Sequence, residues 1–529
     1  MLHVPTHEEF VRMPVVPLVY ALWILDAMIV GYVTVFFVLN VRFVFTSYRR
    51  IRYELLAEIV RPALSSEHDA FLPLVSLLVP AYNEEVTIVE SLKSQLHLRY
   101  PAYEIIICND GSKDRTIEVL LEAFRFDPIA FERTGAIETA RVRKMWECRS
   151  KLPGGVRRMV LIDKENGGKA DALNAAANVA EGAFVTSMDA DSLLVPDALL
   201  LAVRKVLEAP TDIIAVGVQV GLTNGSVVKN GKVEQLRLPT SLIGKFQIVE
   251  YMRSFGKGRT ALSEDNAVLI LSGVFALIKR TALFEVGGFL TRHVRSKVCI
   301  EYCSEGAHTV CEDMEIVVRL HRWLLDKRIR GRIICLPFAI AWTEAPENYR
   351  DLGKQRARWY RGLWEVIVYH RAILFRSQYR QIGLFAMPYQ IIFEALAPPI
   401  ECIGYLLLVL TAIFGALSPA ALFAFLGLAM AMNFCLSTWS ILLCTFSASN
   451  LRSVHESASL VAYPRAKDTI VLVLVGLLSN LGYRQYLVFW QLRGLYDFLK
   501  GNKGWDKFGR KGFVIAPSPS NGPLPGGAK

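Results

Sequence analysis

Long apolar runs occupy the two ends of the chain, and a charged region of short alternating runs lies between them. Residues 15–41 are apolar apart from Asp26 and Asn40, long enough to cross a bilayer. This run lacks the short apolar core and small-residue cleavage site of a removable signal, so it reads as a retained anchor. Residues 390–415 and 420–446 read as two more spans around the uncharged turn Leu417-Ser418-Pro419. Residues 469–499 are interrupted at Ser479-Asn480-Leu481-Gly482 and by Arg484, a pattern open to one long span, a re-entrant hairpin or two short helices. The basic tail with Lys500, Lys503, Lys507, Arg510 and Lys511 favours the hairpin, and the Pro-, Gly- and Ser-rich end reads as disordered.

Between these blocks, short apolar runs alternate with helix-like stretches, the pattern of a mostly parallel α/β sheet. Strands are expected at 74–79, 104–108, 159–162 and 183–188. They end in polar clusters at Ala81-Tyr82-Asn83-Glu84, Asn109-Asp110-Gly111-Ser112, Asn166-Gly167-Gly168-Lys169 and Asp189-Ala190-Asp191-Ser192. One such cluster is ordinary turn chemistry. Four at the carboxyl ends of strands mark the place where open α/β sheets bind ligands.

Composition then narrows the class. The 529 residues are 53% hydrophobic and carry a net charge of +11, with a mean hydropathy of +0.32. Arg42, Arg49, Arg50 and Arg52 directly follow the first span, which places the middle region on the cytoplasmic side by the positive-inside rule. Arg452, Arg465 and Lys467 return the loop after the third span to that side. The basic excess therefore belongs to membrane topology, and no nucleic acid partner is expected. Asp26 either lines a polar passage or pairs with a neighbouring helix. Nine cysteines form no disulfide-like framework and read as reduced thiols. Cys299, Cys303, His308 and Cys311 have a spacing that matches no compact zinc site.

Three constellations carry chemistry. Asp189 and Asp191, alternate residues leaving a strand, can converge on one Mg²⁺ or Mn²⁺, the cations that accompany substrate phosphates. The competing explanation is that Asp191 or Ser192 caps the helix beginning near Pro196. Cys311-Glu312-Asp313 opens an amphipathic helix, where first-turn acids are common for dipole reasons; Asp313 is also placed to act as a general base on a hydroxyl. In Gln355-Arg356-Ala357-Arg358-Trp359, positions 355, 358 and 359 share one helix face, offering a phosphate clamp beside a stacking surface. A basic interfacial helix would use the same residues.

These motifs, in this order and between these membrane blocks, resemble the processive family-2 glycosyltransferases, the group of bacterial cellulose, hyaluronan, chitin-oligosaccharide and poly-N-acetylglucosamine synthases. The resemblance runs over about residues 74–361. It implies a GT-A fold and inverting transfer from a UDP-sugar to a growing β-linked glycan, with extrusion through the membrane. It assigns Ala81, Tyr82 and Glu84 to the nucleoside, Asp110 to the uracil and Lys169 to the diphosphate. Asp189 and Asp191 take the nucleotide and its divalent metal, Asp313 is the base, and Glu312, Gln355, Arg358 and Trp359 meet the diphosphate and the acceptor terminus. Ser272-Gly273-Val274-Phe275 resembles the acceptor-side loop, and a β-hairpin core explains its apolar residues equally well. Asn109, where many relatives have Asp, and Cys311, where Thr often stands, depart from the pattern. No cyclic-dinucleotide receptor domain follows the last apolar block, so a cellulose synthase carrying one is a poorer match.

The expected layout is an anchor at 1–46, a catalytic domain at 47–345, interfacial helices at 346–386, a membrane block at 387–499 and a tail at 500–529. The expected location is a bacterial inner membrane, with the bilayer, a glycan acceptor and accessory export subunits as partners. The rival readings are a transferase adding one sugar to a lipid and a non-catalytic export or scaffold subunit.

Overall fold

The computed structural model describes residues 16–60, 71–130, 137–229, 231–291, 296–303, 307–413, 418–451, 463, 465–502 and 514–515. At its centre is a ten-stranded sheet. Its strands are β1 (Val75–Ala81), β2 (Tyr103–Asn109), β3 (Phe126–Ile129), β4 (Val142–Cys148), β5 (Val156–Lys164), β6 (Phe184–Ser187), β7 (Leu193–Leu194) and β8 (Ile213–Leu222). A short hairpin of β9 (Val227–Lys229) and β10 (Lys232–Gln235) stands apart, and β11 (Ala276–Lys279) and β12 (Arg332–Thr343) complete the main sheet. The order is β3-β4-β5-β2-β1-β6-β11-β8-β12-β7. The strands run in one direction except β4, β7 and β11, which are antiparallel to their neighbours. The mostly parallel α/β expectation therefore holds, with reversed strands inserted.

Alternation along each strand builds two cores. Val75, Leu77 and Val79 of β1, Ile105 and Ile107 of β2, and Met159 and Leu161 of β5 enter one cluster. Leu78, Ile106, Cys108, Val160 and Ile162 enter the other, because successive side chains leave a strand on opposite faces. With both faces covered, these strands read as continuous apolar runs. Pro80 is tolerated in a central strand because the β6 pairing stops at Leu78, so its missing N–H removes no ladder bond on that side. The Ala-rich helix Lys169–Val179 lies on the second face, where its small side chains let it approach the sheet.

The first helix is continuous from Val16 to Val60 and runs across the boundary placed at residue 46. Its basic half is docked on the catalytic domain instead of ending the element. Arg42 pairs with Asp265 at 2.7 Å, Arg50 with Glu264 at 3.0 Å, and Glu54 with Lys205 at 2.6 Å, while Ile51 and Leu55 enter the first core. Two helices are long and apolar enough to cross a membrane, Tyr20–Ala57 and Leu422–Thr445. Two bent pairs meet the same test only together: Ile382–Ala395 with Ala397–Ile413, bent 41°, and Ala466–Leu478 with Tyr483–Leu499, bent 61°. The break at 479–482 thus yields two helices. Most of the 500–529 tail lies outside the described residues, as do Leu417 and Arg452.

Candidate active site

The order β5-β2-β1-β6 brings the four polar strand ends side by side. The order of strands reverses at β1, with β2 and β5 on one side and β6 on the other, and such switch points open a crevice at the carboxyl ends. Asp110, just beyond β2, is 2% exposed. Its carboxylate accepts from Lys164 Nζ at 2.6 Å, Gly167 N at 2.9 Å, Gly168 N at 2.8 Å and Asn166 Nδ2 at 3.1 Å. Four donors fill the lone-pair sites a carboxylate offers. Asp110 therefore organises the 166–168 turn, with Gly168 at φ +94°, and through it sets Lys169 at the start of its helix. Burial raises the Asp110 carboxyl above its ordinary range, against the pull of Lys164.

Lys169 is the hub of the site. Its Nζ lies 2.7 Å from Asp189 Oδ1 and 2.7 Å from Glu312 Oε1. Burial works to lower its pKa, and the carboxylates of Asp189, Glu312 and Asp313 outweigh it and raise it. Asp313, in the first turn of helix Glu312–Asp326, is pushed up to about 6, by burial first and then by Glu312. A Cβ on Gly273 would sit 2.5 Å from Lys169 Nζ, so glycine there leaves the ammonium its room. Ser272 beside it has φ +91°, a left-handed conformation that costs a non-glycine residue about 1–3 kcal/mol. Val274 and Phe275 are buried in the core, while Ser272 and Gly273 face the crevice.

Asp189 reaches the crevice, whereas Asp191 is 1% exposed and accepts from the Thr343 hydroxyl at 3.4 Å. The helix-cap explanation fails: helix Ala198–Leu207 is preceded by Asp197, which Arg99 holds at 2.7 Å. Both acids supply the hard oxygens that Mg²⁺ or Mn²⁺ takes. The ammonium seated against Asp189 and Glu312 marks the spot as one that favours positive charge. The donor set fits a divalent cation.

Helix Tyr349–Tyr369 brings the Gln-Arg-Ala-Arg-Trp segment to the same crevice. Gln355, Arg358 and Trp359 line it, and Gln355 Oε1 is buried without a hydrogen-bond partner among the described residues. Arg356 lines it too and pairs with Glu250 at 2.6 Å, with its guanidinium 4.7 Å from the Trp359 ring centroid. Tyr483 OH also donates to Glu250, at 3.0 Å, tying the last helix to this one. Sequence reasoning missed Glu250, Arg259 and Lys257, which line the crevice from a segment without a motif. Tyr82 and Glu84 line it too, and Glu84 accepts from the Thr87 hydroxyl at 2.9 Å.

The four-residue zinc spacing does not converge. Cys311 packs against helix Tyr349–Tyr369, 3.7 Å from Trp359 O, and Cys299 contacts Arg319 at 2.8 Å. Cys303 instead meets Glu315 at 3.1 Å, and His370 Nε2 donates to the same Glu315 oxygen at 3.1 Å. Arg319 holds Glu315 at 2.7 Å, and a dication beside that guanidinium would be repelled. This buried network fixes the helix carrying Asp313. Asn109, on β2, donates to Asp163 at 2.7 Å; an Asp at 109 would face a second carboxylate there.

Asp110, Lys169, Asp189, Gly273, Glu312, Asp313, Gln355, Arg358 and Trp359, but not Asp191, line one cavity of about 1190 Å³ that includes Ala81 and Pro80 on the strand side. The cavity continues between the apolar helices, past Tyr32, Phe36, Asn40, Glu394, Asn433 and Arg484. Asp26 is not on its wall.

The family model described as "Glycosyl transferase family group 2" matches residues 184–448, and that described as "Glycosyl transferase family 2" matches residues 76–152. The poly-beta-1,6-N-acetyl-D-glucosamine synthase of Staphylococcus epidermidis is 29% identical over 306 residues, 58% of each chain. That of Staphylococcus aureus strain COL is 28% identical over 331 residues, 62% of each chain. The chain thus spans about three fifths of the length of the curated relatives it matches, 58% and 62%. The solved mannosyltransferase PcManGT from Pyrobaculum calidifontis, in complex with GDP-Man and Mn²⁺, has a TM-score of 0.46 at 17% identity, covering 92% of this chain and 100% of that one. Half of the chain matches one family model, from β6 through Asp189, Glu312 and Asp313 to helix Tyr349–Tyr369 and beyond: the chain belongs to glycosyl transferase family group 2.

Proposed function

We propose that this glycosyltransferase transfers N-acetylglucosamine from UDP-N-acetylglucosamine to the end of a growing β-linked glycan, and that the glycan leaves between the apolar helices. One observation carries the reading: a single cavity joins the Lys169–Asp189–Glu312–Asp313 cluster to helix Tyr349–Tyr369 and to the space between those helices. The names of the sequence relatives supply the sugar. The basic residues after the first span favour a bacterial inner membrane with the catalytic domain in the cytoplasm, and accessory export subunits are compatible partners.

In this mechanism Asp313 accepts the proton of the acceptor hydroxyl as its oxygen bonds to the anomeric carbon. The bond from that carbon to the diphosphate oxygen breaks, and UDP departs with the electron pair. Displacement from the opposite face turns an α-linked donor into a β-linked product. Lys169 and Arg358 offset charge on the departing diphosphate, and electrostatic stabilisation of this kind is strongest in a dry site. Asp189 and Asp191 would hold a divalent cation, whose chemistry there is to neutralise the same diphosphate. Trp359 offers a stacking face to the acceptor sugar.

The test is a panel of UDP-sugars offered to the purified protein in lipid, followed through UDP release and linkage analysis of the product. UDP-N-acetylglucosamine should give a β-linked polymer. A single sugar added to a lipid, or turnover of another donor alone, would overturn the reading.

A further inference from the structure

The wall of the cavity between the carboxylate cluster and the apolar helices is an eight-residue π-helix, Met252–Arg259. Two more π segments, Ile382–Ala386 and Ile391–Ala395, lie in the chain that packs around the same cavity. Such segments are rare and are frequent at functional sites. The first of them reaches from the apolar helix Pro419–Leu451 to the carboxylate cluster. At one end, Arg253 meets the Ser437 hydroxyl at 3.4 Å, and a Cβ on Gly256 would lie 2.4 Å from Cys444 Sγ. At the other, the charge of Arg259 acts on Asp313.

Lys257 sits between these ends. It is 7% exposed and lines the cavity. Its ammonium donates to Asn40 Oδ1, and Asn40 is itself oriented by its Nδ2 donating to Phe36 O at 2.8 Å. An ammonium has three donors, and among the described residues Asn40 is its hydrogen-bond partner. A buried donor without an acceptor is costly, so the place calls for oxygen atoms from a ligand. Burial and then Arg253 push the Lys257 ammonium down to about 7, and oxygens accepting from it would stabilise its charged form.

We propose that Lys257, oriented by Asn40, is an acceptor-binding residue that donates hydrogen bonds to the hydroxyl and carbonyl oxygens of the sugar units behind the acceptor terminus. The proposal rests on the transferase reading above, since Asp313 fixes where that terminus must lie. It assigns Lys257 no contact with the donor.

The experiment compares wild type, Lys257→Met and Lys257→Arg in lipid with UDP-N-acetylglucosamine, using free N-acetylglucosamine and a β-linked N-acetylglucosamine pentamer as acceptors. Met keeps the length of the stem and removes the head. For Lys257→Met, the pentamer KM should rise about tenfold or more, the loss of a charged hydrogen bond. Its monosaccharide KM and donor KM should stay within twofold of wild type, values a misfolded variant would not keep. Lys257→Arg, which retains donors, should recover most of the pentamer affinity. Equal losses for both acceptors, a changed donor KM, or an unchanged pentamer KM would each overturn the assignment. Absence of turnover in wild type would instead overturn the transferase reading itself.

Discussion

Asp313 shows how one carboxyl is prepared for proton transfer by its surroundings. Burial and the neighbouring Glu312 carboxylate destabilise its charged form and bring its pKa to about 6, near the pH at which a general base works best. The base must be deprotonated, so kcat/KM should climb as pH rises towards 6 and level off above it. A pH–rate profile checks this, and an acidic limb near 4 would place the base elsewhere. Lys169 supplies a second test. Gly273→Ala puts a methyl 2.5 Å from the ammonium and should displace it from Asp189 and Glu312, raising the KM for donor several-fold with little change in thermal stability. The positions of Asp189, Lys169 and Asp313 were legible because each follows a strand or opens a helix. The environment of Asp110 was not, since its saturation depends on Lys164 and on the backbone of the 166–168 turn. Nor was the fit of Asn109, whose partner Asp163 comes from another strand.

Helix Tyr349–Tyr369 owes its placement to small residues that no periodicity singles out. A Cβ on Gly494 would lie 2.3 Å from Ala357 O, and one on Gly353 would lie 2.2 Å from Trp490. The last helix, Tyr483–Leu499, thus packs backbone to backbone beneath Gln355, Arg358 and Trp359. Gly494→Ala should cost about 1–3 kcal/mol, the usual penalty of overpacking, and should lower kcat as the basic face shifts. Unfolding and turnover measured on the same preparation check both effects. The π segments were equally illegible: Met252–Arg259 carries Gly256 and Gly258 among charged residues, which reads as a loop. Strands β8 and β12 went unassigned although Thr223-Asn224-Gly225-Ser226 follows the one and Glu344-Ala345-Pro346-Glu347 the other. The four strands that were expected all lie under the site.

At the scale of the whole molecule, the central parallel strands, the first helix and the apolar helices share walls of one cavity. The first helix packs into the core of the catalytic domain through Ile51 and Leu55 and lines the outer part of the cavity through Tyr32, Phe36 and Asn40. A chemical step at Asp313 therefore occurs at one end of a path whose other end lies among apolar helices. The claim most exposed to contradiction is that this cavity performs glycosyl transfer with Asp313 as the base. It is tested by comparing Asp313→Asn with wild type in lipid, measuring UDP-N-acetylglucosamine affinity and glycan formed. The asparagine variant should bind the donor within a few-fold of wild type and form glycan slower by about 10²–10⁴-fold, the usual contribution of general-base catalysis. Equal glycan yield from the two proteins would contradict the account.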